Sequence, residues 1–259
     1  MTRSRGRSLR RFVLLVVVCA ASLQLYFLLR IGCMAIVDPQ STTFQRSEAW
    51  RLAREPHVHR WRQEWIAYPE LSANLKRAVI AAEDSGFTEH SGVEWDALEK
   101  AWTKNEHAEN VAEQAVQRAE RARGAKAATA ARPPASAKVV GGSTITQQLA
   151  KNLFLSGERN FVRKAQELVL SYALEAILGK RRILEIYLNG VEWGEGVFGA
   201  AAAAQRYFGV SAAALGAQQA AQLAVMLPAP KRFEKRPGSP YVVGRTATIV
   251  ARMGQVDLP

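Results

Sequence analysis

An almost unbroken apolar run from Phe12 to Leu29, preceded by Arg3, Arg5, Arg7, Arg10 and Arg11, constrains this chain more than any other feature. As a helix the run covers about 27 Å, slightly short of a bilayer core. Arg30 can snorkel and Ile31 to Val37 lengthens the span, so the expected anchor is 12–37. Signal-peptide apolar cores run to about 7–15 residues, which favours an uncleaved anchor over cleavage near Ala20-Ala21-Ser22. The arginines hold the N-terminus in the cytoplasm. The expected organisation is a basic tail at 1–11, the anchor at 12–37 and an exported domain at 38–259.

Cys19 and Cys33 lie in or beside the anchor, which leaves the exported domain without a disulfide framework or a cysteine metal site. A content of 48% hydrophobic and 22% charged residues fits a packed core. The net charge of +12 could suit nucleic acid, but an exported domain meets anionic headgroups and phosphorylated lipids instead. Trp50, Trp61 and Trp65 suit either a membrane interface or a core.

Leu71, Leu75, Ala78, Val79 and Ala82 recur at helical spacing after Ser72, predicting a capped helix over 72–83. Further helices are expected over 161–178, over 182–188 with a stop at Asn189-Gly190, over 200–208 and over 218–226. No strand series stands out, so the domain reads as mainly α. Residues 105–138 carry almost no large apolar side chains and read as a solvated helix and linker, a tolerated surface insertion. The basic, proline-rich tail after Pro228 suggests no function.

The run Gly141-Gly142-Ser143-Thr144-Ile145-Thr146-Gln147-Gln148-Leu149-Ala150-Lys151-Asn152 packs hydroxyls, amides and a lysine into one helix opening. Thr144 and Gln147 form a capping box. Free N–H groups with Lys151 one turn further in suit phosphate or pyrophosphate, although the spacing is not that of a Walker loop. An ordinary capped helix explains the same residues. Glu83 and Asp84 alone read as a solvated turn, and Glu167, four after Arg163 and three after Lys164, as a surface ion pair.

Taken in order, five motifs change that reading. They are Glu83-Asp84-Ser85-Gly86-Phe87-Thr88-Glu89-His90, then Gly142 to Gln148, then Arg163-Lys164-Ala165-Gln166-Glu167, then Ile183-Leu184-Glu185-Ile186-Tyr187-Leu188-Asn189, and finally Tyr207-Phe208-Gly209. The series resembles the peptidoglycan glycosyltransferase family, over roughly residues 60–230. With no Lys-Thr-Gly motif before Pro259, the resemblance is to its single-domain, monofunctional transglycosylases rather than to penicillin-binding proteins.

That resemblance implies a lysozyme-like fold that polymerises lipid II by inverting β-1,4 transfer, releasing undecaprenyl pyrophosphate. It implies Glu83 as general base and Glu167 as the second carboxylate. Asp84, Phe87, His90, Ser143, Thr144, Gln148, Lys151, Asn152, Arg159, Arg163 and Lys164 become substrate contacts. No cofactor is required, and room is left for a divalent metal at the pyrophosphate. The expected partners are lipid II, the nascent glycan strand, the bacterial inner membrane and other cell-wall synthesis or division proteins, with no nucleic acid. The chemistry agrees: inverting displacement needs one ionised carboxylate at the attacking hydroxyl, and pyrophosphate leaves best among cations.

Glu94 stands where family members commonly carry Asp, with Asp96 nearby. A lysozyme-like cleaving enzyme would use Glu83 but leave the cations idle. A membrane-anchored, non-catalytic scaffold would need neither Glu83 nor Glu167.

Overall fold

The computed structural model describes residues 2–55, 61–96, 98–100, 103, 111, 142–158 and 160–259. The insertion expected at 105–138, Gly141 and Arg159 therefore lie outside the described residues, save for position 111 within the insertion. Helix α1 (Thr2–Met34) carries the apolar run and starts ten residues earlier than expected, taking in the basic segment. Its Ser8–Met34 portion is long and apolar enough to cross a membrane. Helix α2 (Thr43–Arg54) opens on a capping box between Thr42 and Gln45.

Helix α3 (Ala73–Glu83) is capped by Ser72, whose hydroxyl accepts from the Asn74 amide at 3.2 Å. Helix α4 (Ile145–Phe154) opens on the reciprocal Thr144–Gln147 box expected from the sequence. Its residues Ile145, Leu149 and Leu153, one turn apart, are fully or almost fully buried. Helix α5 (Phe161–Gly190) joins the two helices expected at 161–178 and 182–188. Gly179 sits between them at φ 71°, a backbone conformation that breaks the helical path and favours glycine.

Three strands of two or three residues, β1 (Arg62–Gln63), β2 (Glu192–Gly194) and β3 (Val197–Phe198), form a small sheet in the order β1-β3-β2. β3 pairs parallel to β1 and antiparallel to β2. Strands this short cannot show a period-two pattern, which is why they were illegible. Helices α6 (Ala200–Phe208), α7 (Ala217–Met226), α8 (Pro230–Phe233) and α9 (Pro240–Met253) complete the described chain. The tail without an expected role is thus structural. Val242, Ile249 and Met253 of α9 are buried where that helix packs on α3 and α7.

The mainly helical core joins α3, α4, α5 and α7 through Leu75, Val79, Leu149, Leu170, Tyr187 and Leu223. It holds the C-terminus of α3 beside the N-terminus of α4. The tryptophans divide: Trp61 and Trp65 pack on the protein, Trp61 against Phe198 at 4.5 Å, while Trp50 is mostly exposed.

Candidate active site

Asp84 is the tie between the two helix ends. Its Oδ2 accepts the Ile145 backbone N–H at 2.9 Å, satisfying one of the free donors at the start of α4. Its Oδ1 lies 2.9 Å from Nε2 of His90, whose Nδ1 accepts the Gly92 N–H at 3.1 Å. A backbone donor on Nδ1 fixes the imidazole proton on Nε2, so His90 donates to Asp84. The Gly92 carbonyl in turn accepts the Thr144 hydroxyl at 2.6 Å. Gly92 lies at φ 91°, and a Cβ there would sit 2.9 Å from Cγ of Glu175 and 3.2 Å from the Ser171 carbonyl oxygen.

These bonds place several of the expected contact residues within the protein's own hydrogen-bond network. Asp84, Phe87 and Thr144 are buried, and Asp84 and His90 are committed to partners within the protein. Phe87 lies under Lys180, whose Nζ is 4.5 Å from the ring centroid. Together they build the frame of the site. Asp84, His90 and Glu94 could also bring three ligand atoms within 4.8 Å of one another, but the Nε2 proton already occupies the Asp84–His90 edge.

Glu83, the last residue of α3, is placed differently. Gln148 donates from Nε2 to Glu83 Oε2 at 2.9 Å, and the Tyr187 hydroxyl donates to Gln148 Oε1 at 3.0 Å. Burial holds the Tyr187 pKa well above the ordinary phenol value, which keeps this donor protonated. Glu83 Oε1 has no hydrogen bond from a described residue. Burial raises the pKa of the carboxyl; the Gln148 bond works against it, Asp84 adds to it, and Lys151 and Arg245 oppose it. The result is a fixed carboxyl of enhanced basicity with one open oxygen.

A cleft of about 480 Å³ brings Gln148, Lys151, Asn152 and Arg163 together, with Phe44, Glu192, Pro228 and Pro230 on its walls. Ser143 is half-buried at its edge, its carbonyl 3.5 Å from Gln148 Nε2. Asn160 caps α5 by accepting the Arg163 amide at 2.7 Å, which sets Arg163 and Lys164 on the first turn. Buried Glu167 accepts from Arg163 at 2.9 Å and from Lys164. Lys151 has no acidic partner within ion-pair distance among the described residues. Desolvation lowers its pKa; Glu167 and Glu83 oppose the shift, and Arg163 and Lys164 reinforce it. An unpaired, crowded ammonium is one that an incoming anion relieves.

Three residues escaped sequence reasoning. Tyr187 holds Gln148, Arg245 bears electrostatically on Glu83 from a distant segment, and Glu192 lines the cleft from β2. Burial lifts Glu192 to a pKa of about 7, although Lys231 lies 3.3 Å away. A second hollow of about 770 Å³, lined by Arg232, Phe233, Arg236 and Tyr241, holds none of the expected site residues and meets the cleft only at Pro228.

A helical domain with one poised carboxyl beside a cation-lined cleft has the layout of a group-transfer enzyme. The family model described as Transglycosylase matches residues 51–115 and 113–254. The chain is 47% identical to the biosynthetic peptidoglycan transglycosylase of Herminiimonas arsenicoxydans over 95% of both chains. It is 48% identical to that of Burkholderia thailandensis over 91% of this chain and 82% of the relative. With the Bordetella pertussis counterpart the identity is 46%, over 95% and 93%. The chain belongs to the transglycosylase family, with its lysozyme-like domain, and is a peptidoglycan glycosyltransferase.

Proposed function

We propose that this enzyme polymerises lipid II, and that Glu83 and the cations of the cleft perform the transfer. The observation that carries the reading is the Glu83 carboxyl, fixed through Oε2 by Gln148 and open at Oε1, beside a cleft lined by Lys151 and Arg163. Glu83 Oε1 takes the proton of the acceptor 4-hydroxyl as its oxygen bonds to the donor C1. The bond from C1 to the pyrophosphate oxygen breaks on the opposite face, which inverts the centre to a β-1,4 linkage. The departing undecaprenyl pyrophosphate keeps the electron pair. Lys151, Arg163 and Lys164, with Arg159 by its place in the motif, meet its charge. Glu167 positions Arg163 and Lys164 through its two hydrogen bonds. No cofactor is needed; a divalent ion at the pyrophosphate would share the same charge.

Membrane placement follows the same reading. The segment 12–37 anchors the chain in the bacterial inner membrane, 1–11 stays cytoplasmic and 38–259 works in the periplasm. Phe161 and Val162, 91% and 81% exposed at the start of α5, suit a face turned to lipid. The partners are lipid II, the growing strand and neighbouring cell-wall or division proteins.

Purified enzyme incubated with labelled lipid II should give polymer, and the Glu83→Gln variant should not. Cleavage of preformed glycan by a folded wild type that makes no polymer would replace this reading with a hydrolase. Lipid II binding with neither activity would leave a scaffold.

A further inference from the structure

The C-terminal half of α1 is docked on the catalytic domain along one stripe. Gln24, Phe27, Ile31 and Met34, spaced three, four and three residues apart, face inward, whereas Leu23, Leu25, Leu28 and Leu29 are exposed. Gln24 and Gln166 exchange two amide hydrogen bonds, at 2.7 and 3.0 Å. Phe27 packs edge-on against Phe154 with centroids 5.3 Å apart, and the Arg30 guanidinium lies 5.3 Å from the same ring. Ile31 is fully buried, and the Met34 carbonyl accepts from Arg182 Nε at 2.8 Å.

The two contacts nearest the site fall on two particular turns. Phe154 ends α4, on the turn that carries Lys151 and Asn152. Gln166 lies on the first turns of α5, beside Glu167 and three residues after Arg163. The anchor therefore buttresses both turns from which the cleft's cations extend.

The length of the anchor sets where this happens. From Phe12, where the apolar run begins, to Leu23 the helix stands clear of the domain and gives about 18 Å, short of the roughly 30 Å of a bilayer core. The missing length is about eight residues, so Gln24 to Ile31 complete the span in the outer part of the hydrocarbon. A glutamine amide at that depth needs a partner, and Gln166 supplies both bonds.

We propose that α1 is a positioning element of the active site: Gln24 and Phe27, through Gln166 and Phe154, fix the height at which the cation-bearing turns meet a membrane-held pyrophosphate. This inference rests on the lipid II reading above. It makes Gln24 a positioning residue whose loss matters only when the substrate is confined to a bilayer.

The test uses the full chain in lipid nanodiscs. With Cys19 and Cys33, both exposed, replaced by serine, the pair Gln24→Cys and Gln166→Cys should be joined by a short bismaleimide cross-linker and still polymerise lipid II. Gln24→Leu should raise KM for bilayer-held lipid II about fivefold to tenfold, the size expected for losing the two interhelical hydrogen bonds to Gln166, with kcat little changed. With a short-chain, water-soluble lipid II analogue the two proteins should share one KM. Failure to cross-link, inactivity of the cross-linked enzyme, an unchanged KM in the bilayer, or an equal KM rise with the soluble analogue would each overturn the positioning role. A wild type that makes no polymer in the same nanodiscs overturns the lipid II reading itself, and the positioning role with it.

Discussion

Gln148 holds Oε2 of Glu83 at 2.9 Å, and that one contact separates two carboxylates that are neighbours in the chain. Asp84, one residue on, spends both oxygens on Ile145 and His90. Only Glu83 has an oxygen left for substrate. Tyr187 completes the arrangement by fixing which end of the Gln148 amide faces Glu83. In the proposed mechanism the acid–base role falls to the residue with the open oxygen, and a framing role to the residue without one.

Glu83→Gln tests this in two ways. Turnover should fall on the order of 10²–10⁴-fold, because an amide cannot accept the acceptor's proton while its carbonyl keeps the Gln148 bond. Stability should move the other way. Burial raises the folded pKa of Glu83, so the folded protein favours the neutral form and loses stability as pH rises through that pKa. The variant should melt at or above the wild-type temperature at neutral pH, with the gain shrinking in acid. The same raised pKa places the acid limb of the wild-type pH–rate profile above the ordinary carboxylate range. A variant that loses both activity and stability would make Glu83 a structural residue.

Asp84→Asn should behave in the opposite sense. One Asn oxygen can accept from either His90 or Ile145, and the new amide then turns a donor toward the other donor. The expected cost is about 1–3 kcal/mol, seen as a lower melting temperature, with activity falling as the α3–α4 junction loosens. An Asp84→Asn protein with wild-type stability and no turnover would move Asp84 into the chemistry.

Lys151 and Glu167 separate along the same lines. Lys151→Met removes a desolvated, unpaired cation, so turnover should fall on the order of 10²-fold while the melting temperature holds or rises. Glu167→Gln strips the acid from Arg163 and Lys164, whose side chains are 18% and 35% exposed. Discounted for that exposure, the loss should be about 1–2 kcal/mol, with activity reduced as the two cations lose their fixed positions. Parallel thermal melts and lipid II assays on the two variants distinguish binding charge from positioning charge. Equal destabilisation by both would erase the distinction.

Much of this frame was legible because it is local. Ser72, the Thr144–Gln147 box and the apolar spacing of α3 and α4 specify helices within one or two turns, and those helices formed as expected. The parts that could not be read are those that depend on distant segments. The fates of Glu83 and Asp84 diverge because Gln148, itself held by Tyr187, reaches one while Ile145 and His90 reach the other. The two helices expected at 161–178 and 182–188 are present on either side of Gly179, whose positive φ breaks the helical path between them. The tail after Pro228 lacked a function in sequence, yet its helical spacing of Val242, Thr246, Ile249 and Met253 is the buried face of α9.

Glu192 offers a pH test that no motif suggested. Its folded pKa is about 7, raised from 4.5 chiefly by burial, while Lys231 beside it is drawn first to Glu48. The folded state therefore binds a proton that the unfolded state releases between about pH 4.5 and 7. The stability tied to that proton is complete in acid and lost as pH rises through 7. Glu192→Gln imitates the protonated carboxyl and carries no proton to lose. The variant should match the wild type in acid and out-melt it in mild base, where the buried carboxylate is charged. If the variant instead melts below the wild type in mild base, the 3.3 Å contact with Lys231 outweighs burial, and Glu192 is an ionised partner on the cleft wall at every working pH.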